Sequence, residues 1–163
     1  MSREDPELFQ KRHRAEYPTF ERVIAALAKE NFDYRPHERS PSTNDIVWIL
    51  ASEISAGSKM IEKSSVTWCP DPTPGLDEVI ETFHQNYLTL DDRVQELTDQ
   101  EWGQSTKLYI GDKLIKEQAL GDFLWYMFFD AIHHRGQLST YIRPMGGKVP
   151  SIYGPSGDDP GPK

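Results

Sequence analysis

The residues of this chain best equipped for chemistry lie together in Asp130-Ala131-Ile132-His133-His134-Arg135-Gly136-Gln137-Leu138. Two histidines, an aspartate, an arginine and a glutamine fall within roughly two and a half helical turns. They interrupt the most apolar run of the sequence, residues 123–141. Buried polar groups need partners, and buried charges need pairing or a metal. Asp130 and His134 stand one turn apart, so a carboxylate oxygen and an imidazole nitrogen share one helix face. Divalent metals accept that mixture of donors. A catalytic site of the zinc type takes three protein ligands plus a water, so a third ligand has to come from another helix. The plain alternative is a buried Asp-His pair in which the carboxylate orients the ring and offsets its burial. On spacing alone, that alternative is the commoner arrangement.

Four amphipathic segments position these residues. The first spans about residues 6–30, with Phe9, His13, Tyr17, Phe20, Ile24 and Leu27 on one seam. Pro18 removes a backbone donor and disfavours helical geometry at Tyr17, which predicts a kink there or two separate pieces. His13 reads as a helix-end histidine with one nitrogen in water. The second helix covers about 43–62, opened by Ser42 as cap with Asp45 at the capping-box position. Its seam is Ile46, Ile49/Leu50, Glu53, Ala56/Gly57 and Met60. Glu53 is anomalous as a carboxylate on an inward face. It reads as a ligand or an acid/base group, or as a side chain that reaches water or pairs with an arginine, and the latter is the commoner case. The third helix, about 76–98, carries Leu76, Ile80, Phe83, Tyr87, Leu90, Val94 and Leu97 at alternating three- and four-residue steps, a bundle-type seam; His84 falls just off it. The fourth, about 117–143, repeats this with Leu120, Leu124, Met127, Ala131, His134, Leu138 and Tyr141, so His134 lies on its inward line.

The connections are informative too. Residues 64–75, which contain Trp68-Cys69-Pro70-Asp71-Pro72-Thr73-Pro74-Gly75, read as a long irregular surface connection because three prolines preclude regular structure, with Trp68 expected to plug it onto the helices. Gly111-Asp112 between short apolar runs predicts a small β-hairpin between the third and fourth helices. The Pro/Gly-rich tail is expected to anchor through Ile152 and Tyr153 and to be mobile over 157–163. Together these give a single domain over 1–163, an all-α four-helix bundle with a small hairpin.

Composition narrows the function classes. The 163 residues are 37% hydrophobic, with a formal net charge of -8. An acidic surface without a Lys/Arg cluster argues against nucleic acid, whose binding depends on phosphate contacts. No stretch approaches the roughly 20 apolar residues that span a bilayer. The polar start Met1-Ser2-Arg3-Glu4-Asp5 has no signal-peptide core. A lone cysteine, Cys69, excludes an internal disulfide and suits a reducing compartment. The expected location is the cytoplasm.

His133-His134-Arg135-Gly136-Gln137-Leu138, followed by Tyr141-Ile142-Arg143 and Gly146, resembles the closing helix of the DinB/YfiT-like superfamily. Tyr34-Arg35-Pro36, the Ser42 start and Trp48 resemble the entry to that family's second helix. The resemblance implies an up-down-down-up bundle, commonly a homodimer. It also implies a divalent metal (Zn, Ni, Mn or Fe) held by one His of helix two and two of helix four, and in some members thiol-dependent transfer or isomerisation. Carried over residue by residue, the His before Arg-Gly-Gln is His134. The His expected one turn earlier is Asp130, and the one expected after Trp48 is Ile49. Glu53, about 6 Å along the axis from Ile49, is the available replacement. The site would then be His134, Asp130 and Glu53 with water, an oxygen-rich set that favours Mn, Mg or Fe over softer metals. His13 is expected roughly 15 Å away in height. Two readings follow. One is a metal-dependent enzyme acting on a small molecule or low-molecular-weight thiol, of transferase or hydrolase type. The other is a metal-free small-ligand-binding or structural dimeric module. The catalytic residues themselves are not legible in either.

Overall fold

In the computed structural model, residues 6–69 and 74–161 are described. The polar start and the prolines at positions 70 and 72 lie outside them. The order is α1 (Pro6–Ala25), a 3-10 turn (Lys29–Asn31), α2 (Thr43–Lys63), β1 (Ser65–Thr67), α3 (Leu76–Gln95), α4 (Asp99–Trp102), β2 (Ser105–Ile110), β3 (Lys113–Ala119) and α5 (Leu120–Tyr141). α2 packs on α3 and α5, and α1 packs on the same two helices. The core between them holds Phe9, Phe20, Ile46, Leu50, Phe83, Tyr87, Leu124 and Leu138. None of the described helices is long and apolar enough to cross a membrane.

Local chemistry accounts for the boundaries. At the start of α2 the Asp45 amide donates to Ser42 Oγ at 3.1 Å, and the Ser42 amide donates to Asp45 Oδ2 at 2.9 Å. This reciprocal pair satisfies amides that have no intrahelical acceptor. Thr98 and Glu101 repeat it at α4, which explains why the third helix stops at Gln95 rather than 98. α1 contradicts the sequence expectation at Pro18, since it runs unbroken from Pro6 to Ala25. One missing hydrogen bond is outweighed there by burial of Phe9, Phe20, Val23 and Ile24 on either side of the proline.

The chain is mostly helical rather than all-α. β1 pairs parallel to β2, and β2 pairs antiparallel to β3 across Gly111-Asp112, with Gly111 at φ 56 supplying the left-handed turn position. β1 corrects the expectation of an irregular connection over 64–75: Ser65–Thr67 precedes the prolines and is free to pair with β2. Trp68 continues the pairing, donating its amide to the Tyr109 carbonyl at 2.7 Å, and packs half-buried against the core. Residues 117–119 belong to β3, so α5 starts later than its apolar pattern suggests. Two glycines set close approaches. A Cβ on Gly57 would stand 3.3 Å from Leu124, and one on Gly121 would stand 2.2 Å from the Trp102 ring.

The C-terminal segment folds back on the helices. Ile152 packs against the core. Asp158 accepts from Arg143 Nε and the Val149 amide, and Asp159 accepts from the Ser151 and Gly161 amides. Asp158, Asp159 and Gly161 thus make specific bonds, while 162 and 163 lie outside the described residues.

Candidate metal centre

α2 and α5 bring Glu53, Asp130 and His134 to one place. His134 Nε2 lies 3.7 Å from Asp130 Oδ2 and 4.0 Å from Glu53 Oε1. One donor atom from each residue falls within 4.8 Å of the others. These gaps exceed a hydrogen bond. They resemble the separation of ligand atoms around a shared ion, since two atoms each about 2.1 Å from a tetrahedral metal stand about 3.4 Å apart. A small inward movement of the side chains closes the difference. Among the described residues this is the one His/Cys/Asp/Glu group with such geometry.

Each member is prepared by its surroundings. His134 Nδ1 lies 2.7 Å from Gln137 Oε1, and Nε2 faces the carboxyl groups of Asp130 and Glu53. Glu53 is 8% exposed, and its Oε2 has no hydrogen-bond partner among the described residues. Burial first, then the hydrogen bond and charge of Asp130, push the Glu53 carboxyl up to about 9. A carboxylate so placed is costly as a bare anion. A divalent cation between the three side chains would offset that cost, its charge balancing two carboxylates. Asp130 is half-buried and opens the cluster toward solvent.

Several expectations change here. Glu53 is buried, and among the described residues its ion-pair partner is His134 rather than an arginine. Arg135 is engaged with Glu16 and Tyr153, and Arg93 with Glu62 and the Ser58 carbonyl. His13 is not a water-facing helix-end residue. It is 2% exposed and stacks on the Tyr87 ring at 3.8 Å between centroids, because α1 turns that seam into the core. Burial lowers its pKa, and Asp91, 3.6 Å from Nδ1, pulls the other way. His13 stays outside the three-residue group, although with Glu53 it lines an internal cavity of about 20 Å³, room for one water. Ile49 is half-buried one turn before Glu53. His133 is exposed beside the site, its ring centroid 5.4 Å from that of His134.

Arg135 is the residue whose role sequence reasoning missed. It is 2% exposed, pairs with Glu16, donates to the Tyr153 hydroxyl at 2.6 Å and lies over the Phe20 ring. It ties α5 to α1 and to the C-terminal segment. Its position one turn from Leu138 on the apolar stripe was the available signal.

The sequence matches the model of the DinB family over residues 1–161. The chain belongs to the DinB family. Among solved structures, this DinB chain is similar to a DinB-like protein of Bacillus cereus, at 17% identity and TM-score 0.74, over 90% of this chain and 97% of that one. A DinB-like protein of Bacillus subtilis matches at 16% identity and TM-score 0.68, over 86% and 92%. The mycothiol-dependent maleylpyruvate isomerase matches at 10% identity and TM-score 0.63, over 88% of this chain and 61% of that one. At these identities the likeness is one of fold. No curated protein matches the sequence.

Proposed function

We propose that this DinB protein binds one divalent metal ion at Glu53, Asp130 and His134 and uses it in a reaction on a small molecule or a low-molecular-weight thiol, of transferase or hydrolase type. The observation that carries the reading is the convergence of three donor side chains from two helices, one of them a buried carboxyl with an unpartnered oxygen. Such a group is expensive to keep for stability alone. The likeness in fold to an enzyme whose name records dependence on a thiol supports the choice of substrate class.

The residues divide the work. His134 offers Nε2. Glu53 supplies an anionic oxygen from the buried side, and Asp130 supplies one from the solvent side. A divalent ion in such a site lowers the pKa of a bound water or thiol and makes it a nucleophile near neutral pH. Three side chains leave at least one position for that ligand. The oxygen-rich set favours Mn, Mg or Fe over softer ions.

In the same reading the four long helices form the up-down-down-up bundle, and the β2–β3 pair is its hairpin. The protein is a cytoplasmic homodimer, with the exposed Tyr126 and Phe129 of α5 as its contact face. A second reading, a metal-free ligand-binding or structural module, is favoured by Ile49 standing where the family resemblance places a histidine.

Metal analysis decides between them. Tag-free protein, stripped and then dialysed against Mn²⁺, Zn²⁺, Ni²⁺ or Fe²⁺, is expected to retain one ion per chain, and His134→Ala to lose it. Trace metal in both proteins would sink the proposal and leave the second reading.

A further inference from the structure

A metal-binding histidine must present a lone pair, and nothing in His134 alone decides which nitrogen does so. Two carboxylates face Nε2, at 3.7 and 4.0 Å. In the metal-free protein the Asp130 carboxylate and a carboxyl oxygen of Glu53 can accept the ring proton at Nε2, where it would point between them and block an incoming cation. One group opposes this. Gln137 Oε1 lies 2.7 Å from Nδ1, a short distance for a hydrogen bond to nitrogen. Gln137 follows His134 by three residues, so the two side chains meet on adjacent turns of α5.

We propose that Gln137 is a positioning residue for the candidate metal centre: its side-chain carbonyl holds the His134 proton on Nδ1 and keeps Nε2 as a bare lone pair between Glu53 and Asp130. The inference rests on reading the cluster as a metal centre. A histidine's tautomer is set by the hydrogen bond its other nitrogen makes, and outer partners of this kind tune ligand affinity.

The choice of amide over carboxylate also has a consequence. A neutral acceptor at 137 leaves the site with two negative charges, which a divalent ion balances. A glutamate there would hold the same proton and add a third negative charge. An amide turned the other way would present its NH₂ to Nδ1 and send the ring proton to Nε2, so the tautomer itself reports the arrangement.

The test uses metal-free, ¹⁵N-labelled full-length protein. Long-range ¹H–¹⁵N correlations of the imidazoles at about pH 9, where a free histidine is neutral, read the tautomer. The His134 signals are assigned by their loss in His134→Ala. The wild type is expected to carry its proton on Nδ1, Gln137→Leu to carry it on Nε2, and Gln137→Glu to restore Nδ1. Mn²⁺ affinity should fall about 10–100-fold in Gln137→Leu and recover in Gln137→Glu, with thermal unfolding of each variant confirming a folded chain. A proton on Nε2 in the wild type, or an unchanged tautomer in Gln137→Leu, overturns the proposal. The expected tautomers with no Mn²⁺ uptake by the wild type would instead overturn the metal reading on which it rests.

Discussion

Replacing Glu53 by glutamine isolates the energetic cost of the site. In the metal-free protein the Glu53 carboxyl is pushed up to about 9 by burial and by Asp130, against an ordinary value of 4.5. The folded state therefore keeps a proton that the unfolded chain has lost. Stability from this group is fully present below the unfolded value and is lost as pH rises toward the folded one. The slope for one proton is about 1.4 kcal/mol per pH unit, so the wild type loses about 3 kcal/mol between pH 6 and 8 through this residue. That is a large share of a typical stability of roughly 5–15 kcal/mol. The glutamine side chain of the Glu53→Gln variant is isosteric with the protonated acid and does not titrate. Urea unfolding of both proteins in EDTA at several pH values reads the difference, and groups common to both, His13 included, cancel. The two curves should diverge with rising pH, the variant being the more stable at pH 8. Added divalent metal should then stabilise the wild type and leave Glu53→Gln unmoved. Parallel curves across pH 6 to 8 would refute the reasoning.

Three further outcomes follow from the packing. Arg135→Met should destabilise by about 3–5 kcal/mol, the cost of breaking a buried ion pair, while leaving metal content unchanged; urea unfolding and metal analysis on one sample check both halves. Ser42→Ala should cost about 1 kcal/mol through loss of the α2 cap, read as a lower thermal midpoint. Gly121→Ala should cost about 1–3 kcal/mol by overpacking, because the new methyl meets the Trp102 ring at 2.2 Å, and a change in tryptophan emission should accompany it.

The seams of α2, α3 and α5 are legible because burial imposes a helical period on apolar residues, and Phe83, Tyr87, Leu124 and Leu138 lie buried where the pattern places them. The Ser42 capping box is legible because it is local. Pro18 misleads, since a propensity for breaking a helix carries no knowledge of the packing on both sides. His13 misleads for a related reason: its neighbours in sequence are charged, and only the approach of Tyr87 from α3 makes its environment apolar. β1 depends on a partner strand some forty residues away, so nothing within Ser65–Thr67 announces it. For the site, the pairing of Asp130 with His134 follows from one helical turn. That Glu53 joins them depends on how α2 meets α5, a relation between two elements that neither sequence segment contains.

The central claim is that one ion sits between Glu53, Asp130 and His134. Its most direct test is a crystal of tag-free protein grown with Mn²⁺ and measured for anomalous scattering. The account predicts a single strong peak per chain with His134 Nε2 and oxygens of both carboxylates about 2.0–2.2 Å away. Well-ordered side chains at the three positions with no peak between them would contradict it.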